Sequence, residues 1–221
     1  AEVKVLVPEF ADALRFAVLR PDISGELVLE LTRFGVSAAR HATSGVLVSG
    51  SRHNCVIRKS HLLFCWGTNN YGHLGQGHSS NVGDDPNEMG EALIAVDLGT
   101  GMFATQIDSG YYYICALLGD GRVKCWGDNR YGQLGQGHTN NIGVSENQMG
   151  DFLPPVDLGT GMFATQVAAG AYHSCALLGD GRVKCWGSNR YGQLGQGQTT
   201  YIGVSENQMG DFLPPVDLGT G

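Results

Sequence analysis

The chain of 221 residues sets 14 Lys and Arg against 21 Asp and Glu, a formal net charge of −7, with 42% hydrophobic residues, an ordinary globular composition that excludes a disordered chain. An acidic balance offers no basic stripe to displace counterions from phosphates, which argues against a nucleic-acid partner, and no apolar run approaches the length of a membrane-spanning helix. The 34 glycines are about twice the average usage and predict a chain rich in turns.

Residues 1–41 come first and have no counterpart in the rest of the chain. Ala1 to Val7 alternates, with Val3, Val5 and Val7 on one face and Glu2, Lys4 and Leu6 on the other, the pattern of a strand with one buried side. Two more strands are predicted at Leu14–Leu19 and Glu26–Leu31, separated by a loop over Arg20–Gly25 with proline and glycine signals. A helix over Phe10–Leu19 is the alternative for the second of them, given its helical propensity. A segment of this size lies at the lower limit for independent folding, so this β-rich piece is expected to dock on another surface. Its Val3, Val5 and Val7 edge is the candidate assembly contact.

From residue 42 the chain repeats with a period of sixty: 42–101, 102–161 and 162–221. Cys55, Cys115 and Cys175 fall in register, as do Cys65, Cys125 and Cys185, and Trp66, Trp126 and Trp186. The second and third copies share 50 of 60 residues, and the first is more divergent. Within a copy, Ile114–Leu118 and Arg122–Gly127 flank Gly119-Asp120-Gly121, which predicts a β-hairpin with a three-residue loop. Further strands are predicted from Phe103 through Ile107 and over Val156–Leu158. No stretch holds a 3.6-residue apolar period over three turns, so the fold class is all-β: three tandem 60-residue propeller-type blades, each of about four short strands. The three tryptophans are expected to be equivalent and buried beside the hairpins.

The run Cys115-Ala-Leu-Leu-Gly-Asp-Gly-Arg-Val-Lys-Cys-Trp-Gly-Asp-Asn-Arg-Tyr-Gly-Gln-Leu-Gly-Gln-Gly137 resembles the repeat of the regulator of chromosome condensation family, whose members form seven-bladed β-propellers. The resemblance spans the three repeats. It departs from the family pattern in its paired cysteines, in polar inserts such as Asn141–Phe152 and in the number of repeats, and it carries no implied nucleotide-exchange activity, because a fold does not dictate function.

In the hairpin register Leu117 faces Val123, Ala116 faces Lys124 and Cys115 faces Cys125, within reach of a disulfide. Three bonds are therefore predicted, Cys55–Cys65, Cys115–Cys125 and Cys175–Cys185. Zinc fits less well, because nine residues separate each pair and the nearby His53 and His173 are matched by Tyr113 in the middle copy. Disulfides place the protein in an oxidising compartment, secreted or on the cell surface.

No cofactor, metal or catalytic constellation is expected, and the protein reads as not an enzyme. Gly132-Gln-Leu-Gly-Gln-Gly137 lacks the helix that a phosphate-binding loop needs. The oxygen donors of Asp84-Asp85-Pro86-Asn87-Glu88 suggest calcium, but four of these five positions change in the later copies, and a solvated acidic loop is expected. The positions that vary between the near-identical copies suit carbohydrate or protein contact and equally suit packing between neighbouring repeats: Tyr111, Tyr112 and Tyr113 against Tyr172 and His173, with Tyr201 at a second loop. The function expected is that of a non-catalytic extracellular structural protein, the subunit of a surface filament or hair built by head-to-tail self-association. A module binding carbohydrate or protein (a lectin or adhesion domain), or part of a longer seven-bladed scaffold, is the alternative.

Overall fold

The computed structural model describes residues 45–219, and in the segment before them the backbone of three strands. The chain divides into two compact units, Ala1–Ala42 and Thr43–Gly221. In the first, β1 (Val3–Leu6), β2 (Phe16–Pro21) and β3 (Leu27–Leu31) form an antiparallel sheet in the order β1-β2-β3. Val3 lies opposite Leu19 and Val5 opposite Ala17, whereas Val7 lies outside the described residues. β1 pairs within its own unit. The loop expected over Arg20–Gly25 begins later, since Arg20 and Pro21 pair with Val28 and Leu27.

The second unit is three antiparallel sheets of three strands each, one per repeat. They comprise β4 (Val46–Ser49), β5 (His53–Ile57) and β6 (Leu63–Gly67); β7 (Ala104–Ser109), β8 (Tyr113–Leu118) and β9 (Val123–Gly127); and β10 (Ala164–Ala169), β11 (His173–Leu178) and β12 (Val183–Gly187). The hairpin register is the one the spacing predicts, with Leu117 opposite Val123 and Cys115 opposite Cys125. Its turn is closed by Leu118 N–H on the Arg122 carbonyl and Gly121 N–H on that of Leu118. Gly121 takes a φ of +85°, where a side chain would be strained. Asp120 accepts from the Arg122 backbone and guanidinium, an exposed structural pair.

A fourth strand at Val156–Leu158 does not form. Along this segment Val156 alone donates to its own blade's last strand, to the Val123 carbonyl at 2.7 Å, and the first copy, with Ile94 and Ala95 in place of the two prolines, runs the same way, Val96 donating to the Leu63 carbonyl at 2.8 Å. The segment is an extended strap, and a blade has three strands.

Between sheets lies one continuous core built on Ile57, Leu63, Leu118, Val123, Trp126, Leu153, Leu178 and Trp186. The middle blade is covered on both faces, and every residue of β8 and β9 is buried, whereas β11 alternates between buried and partly exposed. All six cysteines are bonded in the three predicted pairs. Each joins directly opposed residues at a Cα separation of 4.1 Å, close to the narrow pairing distance of an antiparallel ladder.

Candidate functional site

The two blade junctions fix the geometry of the molecular surface. The Trp126 indole donates to the His73 carbonyl of the first blade at 3.1 Å, and Trp186 donates to the Gln133 carbonyl of the second at 3.0 Å. Lys124 is almost fully buried and gives its ammonium to the carbonyls of Leu98 and Gly150 at 2.9 and 2.7 Å; Lys184 repeats the arrangement on Leu158 and Gly210. Burial lowers the pKa of both amines, while the carbonyl cage satisfies their donors. Asp151 accepts from the backbone and hydroxyl of Thr100, and Asp211 from those of Thr160, which holds both carboxyls below their usual range. Gly132 has a φ of +76° and lies against the next blade's backbone, where an added Cβ would sit 2.6 Å from the Gly203 carbonyl carbon. The glycine run is thus a junction element and not a phosphate cradle.

These junctions correct the expected equivalence of the tryptophans. Trp126 and Trp186 are fully buried, but Trp66 is only half-buried. The first blade has no other blade ahead of it in residues 45–219 to cover the ring. Of the two roles open to Tyr113, surface contact is excluded and packing between repeats is found: it is 0% exposed. Its hydroxyl points across the second junction to the carbonyls of Gly170 and His173 and receives a bond from Ser174. That burial pushes the phenol upward from its usual pKa. His173, half-buried, offers its backbone to this contact, and burial lowers the pKa of its imidazole.

Six of the other seven tyrosines are brought together, and Tyr191, 84% exposed, stands outside the group. Tyr71 of the first blade packs on Tyr112 with ring centroids 5.1 Å apart, and Tyr112 neighbours Tyr111 at 6.1 Å. Tyr111 reaches Tyr172 of the third blade at 5.3 Å. Tyr131 touches Tyr172 at 5.1 Å and Tyr201 at 5.5 Å, edge-on in both cases. Arg130 lies over Tyr71 at 5.0 Å and Tyr131 at 5.9 Å, and its guanidinium is held by the fully buried Asp128 at 2.9 Å, which raises its pKa further. Six tyrosines and one arginine therefore form a continuous surface across all three blades, half-buried except for Tyr111, which is 47% exposed. Rigid amphipathic rings with a fixed cation are the side chains that dominate protein contact sites.

Tyr71, Tyr131 and Arg130 escape a search that compares only the positions differing between copies, because they belong to what the copies share. Their signal is the recurring Tyr-Gly after each blade hairpin. The acidic loop binds itself: Glu88 accepts from the backbones of Gly83 and Asp85, as Gln148 does from Gly143, Val144 and Ser145, and Asn81 holds Asp84. Among the described residues, no cluster of three or more His, Cys, Asp or Glu has metal-binding geometry.

Models of the regulator of chromosome condensation (RCC1) repeat match residues 47–72, 104–133 and 164–193 in one form, and 120–177 and 180–216 in another. The chain belongs to the RCC1 repeat family. The ultraviolet-B receptor UVR8 of Arabidopsis thaliana is 31% identical over 152 residues, which are 68% of this chain and 31% of the receptor. The human E3 ubiquitin-protein ligase HERC2 is 28% identical over 156 residues, 71% of this chain and 3% of the ligase. Among solved structures, human WBSCR16 superposes with a TM-score of 0.54 at 22% identity, over 86% of this chain and 48% of that one. Yeast RCC1 (Prp20) in complex with Kap60 gives 0.53 at 17%, over 95% and 50%. The RCC1 propeller fold is thereby shown. The chain spans less than a third of these two relatives and about half of the solved chains, and the ligase activity named for HERC2 belongs to a protein of which the match is 3%. RCC1-type repeats are interaction scaffolds.

Proposed function

We propose that the protein is a non-catalytic RCC1-type module of an oxidising, extracellular compartment that engages a protein ligand through its tyrosine–arginine surface. The observation that carries this reading is the unbroken path of ring contacts from Tyr71 to Tyr201 across both junctions. Such packing fixes the side chains before a ligand arrives, so little conformational entropy is lost on binding. Three disulfides support the compartment. Yeast RCC1 offers a precedent for protein partners, having been solved bound to Kap60. The test is affinity capture from the extracellular fraction under non-reducing conditions, repeated with Tyr111→Ala/Tyr172→Ala. Loss of the captured protein with cooperative unfolding retained supports the reading; undiminished capture refutes it, and glycan-array binding without a protein partner would replace it by a lectin role.

Head-to-tail self-association into a filament is the second reading, favoured by a separate three-stranded unit ahead of the blades. The first blade of another copy is an imperfect complement to the third blade, because Phe64 stands where Lys124 and Lys184 supply the anchoring ammonium. Residues 1–41, with Val3, Val5 and Val7, are the element proposed to make that contact. Sedimentation of the full chain against one lacking residues 1–20 decides it: concentration-dependent assembly that the deletion abolishes supports the filament, and a monomer at high concentration ends it.

A further inference from the structure

The two junctions share a register but differ at their centre. At the second, Tyr113 and Gln133 meet the next blade, and every polar group finds a partner: the phenol on Gly170 and His173, the Gln133 amide between Asp128 and the Tyr131 backbone. At the first, the same two positions are His53 and His73. Their side chains are buried, at 2% and 0% exposure, with ring centroids 4.4 Å apart. His53 Nε2 meets the Ser109 hydroxyl of β7 at 2.9 Å, but His53 Nδ1 and both ring nitrogens of His73 have no hydrogen-bond partner among the described residues.

Two neutral imidazoles can occupy such a site. Two imidazolium ions cannot, since each carries an additional donor with no acceptor and the charges face each other at ring-contact distance. The Thr68 backbone favours a charged His73 ring but is outweighed by burial, and the other surroundings offer no relief. Tyr112 packs 5.8 Å from His73. Asp108 on β7 spends its carboxylate on the backbones of Ser109 and Ala169, Arg52 before β5 is exposed, and the Arg130–Asp128 pair is engaged with itself against Tyr71. The backbone carbonyl of His73 is the acceptor for the Trp126 indole, so movement of this residue releases the principal anchor of the second blade on the first.

We propose that the His53–His73 pair is an acid-operated latch: protonation opens the junction between the first and second blades and leaves the second junction closed. Burial depresses both groups, His53 to about 4 and His73, which also feels His53, to about 3. Because the closed state holds these pKa values below the 6.5 of a free imidazole, its stability is complete above pH 6.5 and declines as pH falls toward 4. Two such groups raise the opening constant by up to about 100-fold per pH unit in that window. Opening would separate Tyr71 from Tyr112, whose contact crosses the same junction.

The three indole N–H resonances of the unmodified protein provide the assay, because Trp126 reports on the first junction and Trp186 on the second. Between pH 6.5 and 4 the Trp126 signal is expected to shift or broaden and its solvent exchange to rise at least tenfold, with Trp186 unchanged. His53→Tyr/His73→Gln, which installs the second junction's pair, should abolish the response. If the two indoles respond together, or Trp126 is indifferent to pH down to 4, the latch does not exist. Should the double variant fail to fold, the titration of the unmodified protein decides alone.

Discussion

Replacing Trp126 by alanine tests how the blades are held together. The indole is fully buried at the first junction and donates to the His73 carbonyl at 3.1 Å. Removing a buried tryptophan side chain costs about 3–5 kcal/mol, and the orphaned carbonyl adds roughly 1 kcal/mol. The expected loss is thus about 4–6 kcal/mol, a fall in Tm of roughly 8–24 °C for a domain of this size. Trp66→Ala is the internal control, since its ring is only half-buried in the same local sequence, Cys-Trp-Gly. It should cost less, because it removes a smaller area from water and Trp126 alone of the two makes the junction hydrogen bond. Urea unfolding followed by circular dichroism, with m compared among variants, measures both. Equal losses from the two substitutions would mean that the hairpin, and not the junction, accounts for the tryptophan's contribution, and a Trp126→Ala protein as stable as its parent would refute the burial itself.

Lys124→Met keeps the buried stem but leaves the Leu98 and Gly150 carbonyls without their donor, so a loss of about 2–4 kcal/mol is expected in chemical denaturation; an unchanged midpoint would show that the ammonium anchors nothing. Cys115→Ser/Cys125→Ser opens a loop of sequence separation 10 and should cost about 2–3 kcal/mol by the chain-entropy argument, while non-reducing peptide mapping should still find the other two bonds within their own repeats. Below pH 4 the carboxylates matter: hydrogen bonds from Thr160 lower Asp211 beneath its ordinary 3.8, so their contribution is present above that value and is lost as pH falls through the lowered one. Thr160→Val should therefore flatten the acid limb of the stability profile below pH 4, and an unaltered limb would show that this carboxylate is not stabilised by its partner.

What can be read without a structure is whatever the chain decides over ten residues or so. The Gly-Asp-Gly turn at a fixed distance from two cysteines leaves one hairpin register, and the register alone brings the sulfurs together. Period-two alternation and a sixty-residue repeat are sufficient for strands and blades. The fourth strand is absent after Pro154 and Pro155 and equally after Ile94 and Ala95 in the first copy, so no local signal in the sequence accounts for it. Lys124 and Tyr113 elude sequence reasoning for a different reason. A lysine and a tyrosine on a strand read as surface groups, and each is buried because a neighbouring blade brings carbonyl oxygens to meet it. The same holds for the tyrosine surface, whose rings come from positions as far apart as Tyr71 and Tyr201, and for Trp66, which shares its local sequence with Trp126 but not its cover. Turn chemistry, strand pairing and disulfide partners are short-range properties encoded in consecutive residues. Burial, the satisfaction of polar groups and the assembly of the contact surface depend on which blade faces which, and that is decided only when segments about sixty residues apart are packed against one another.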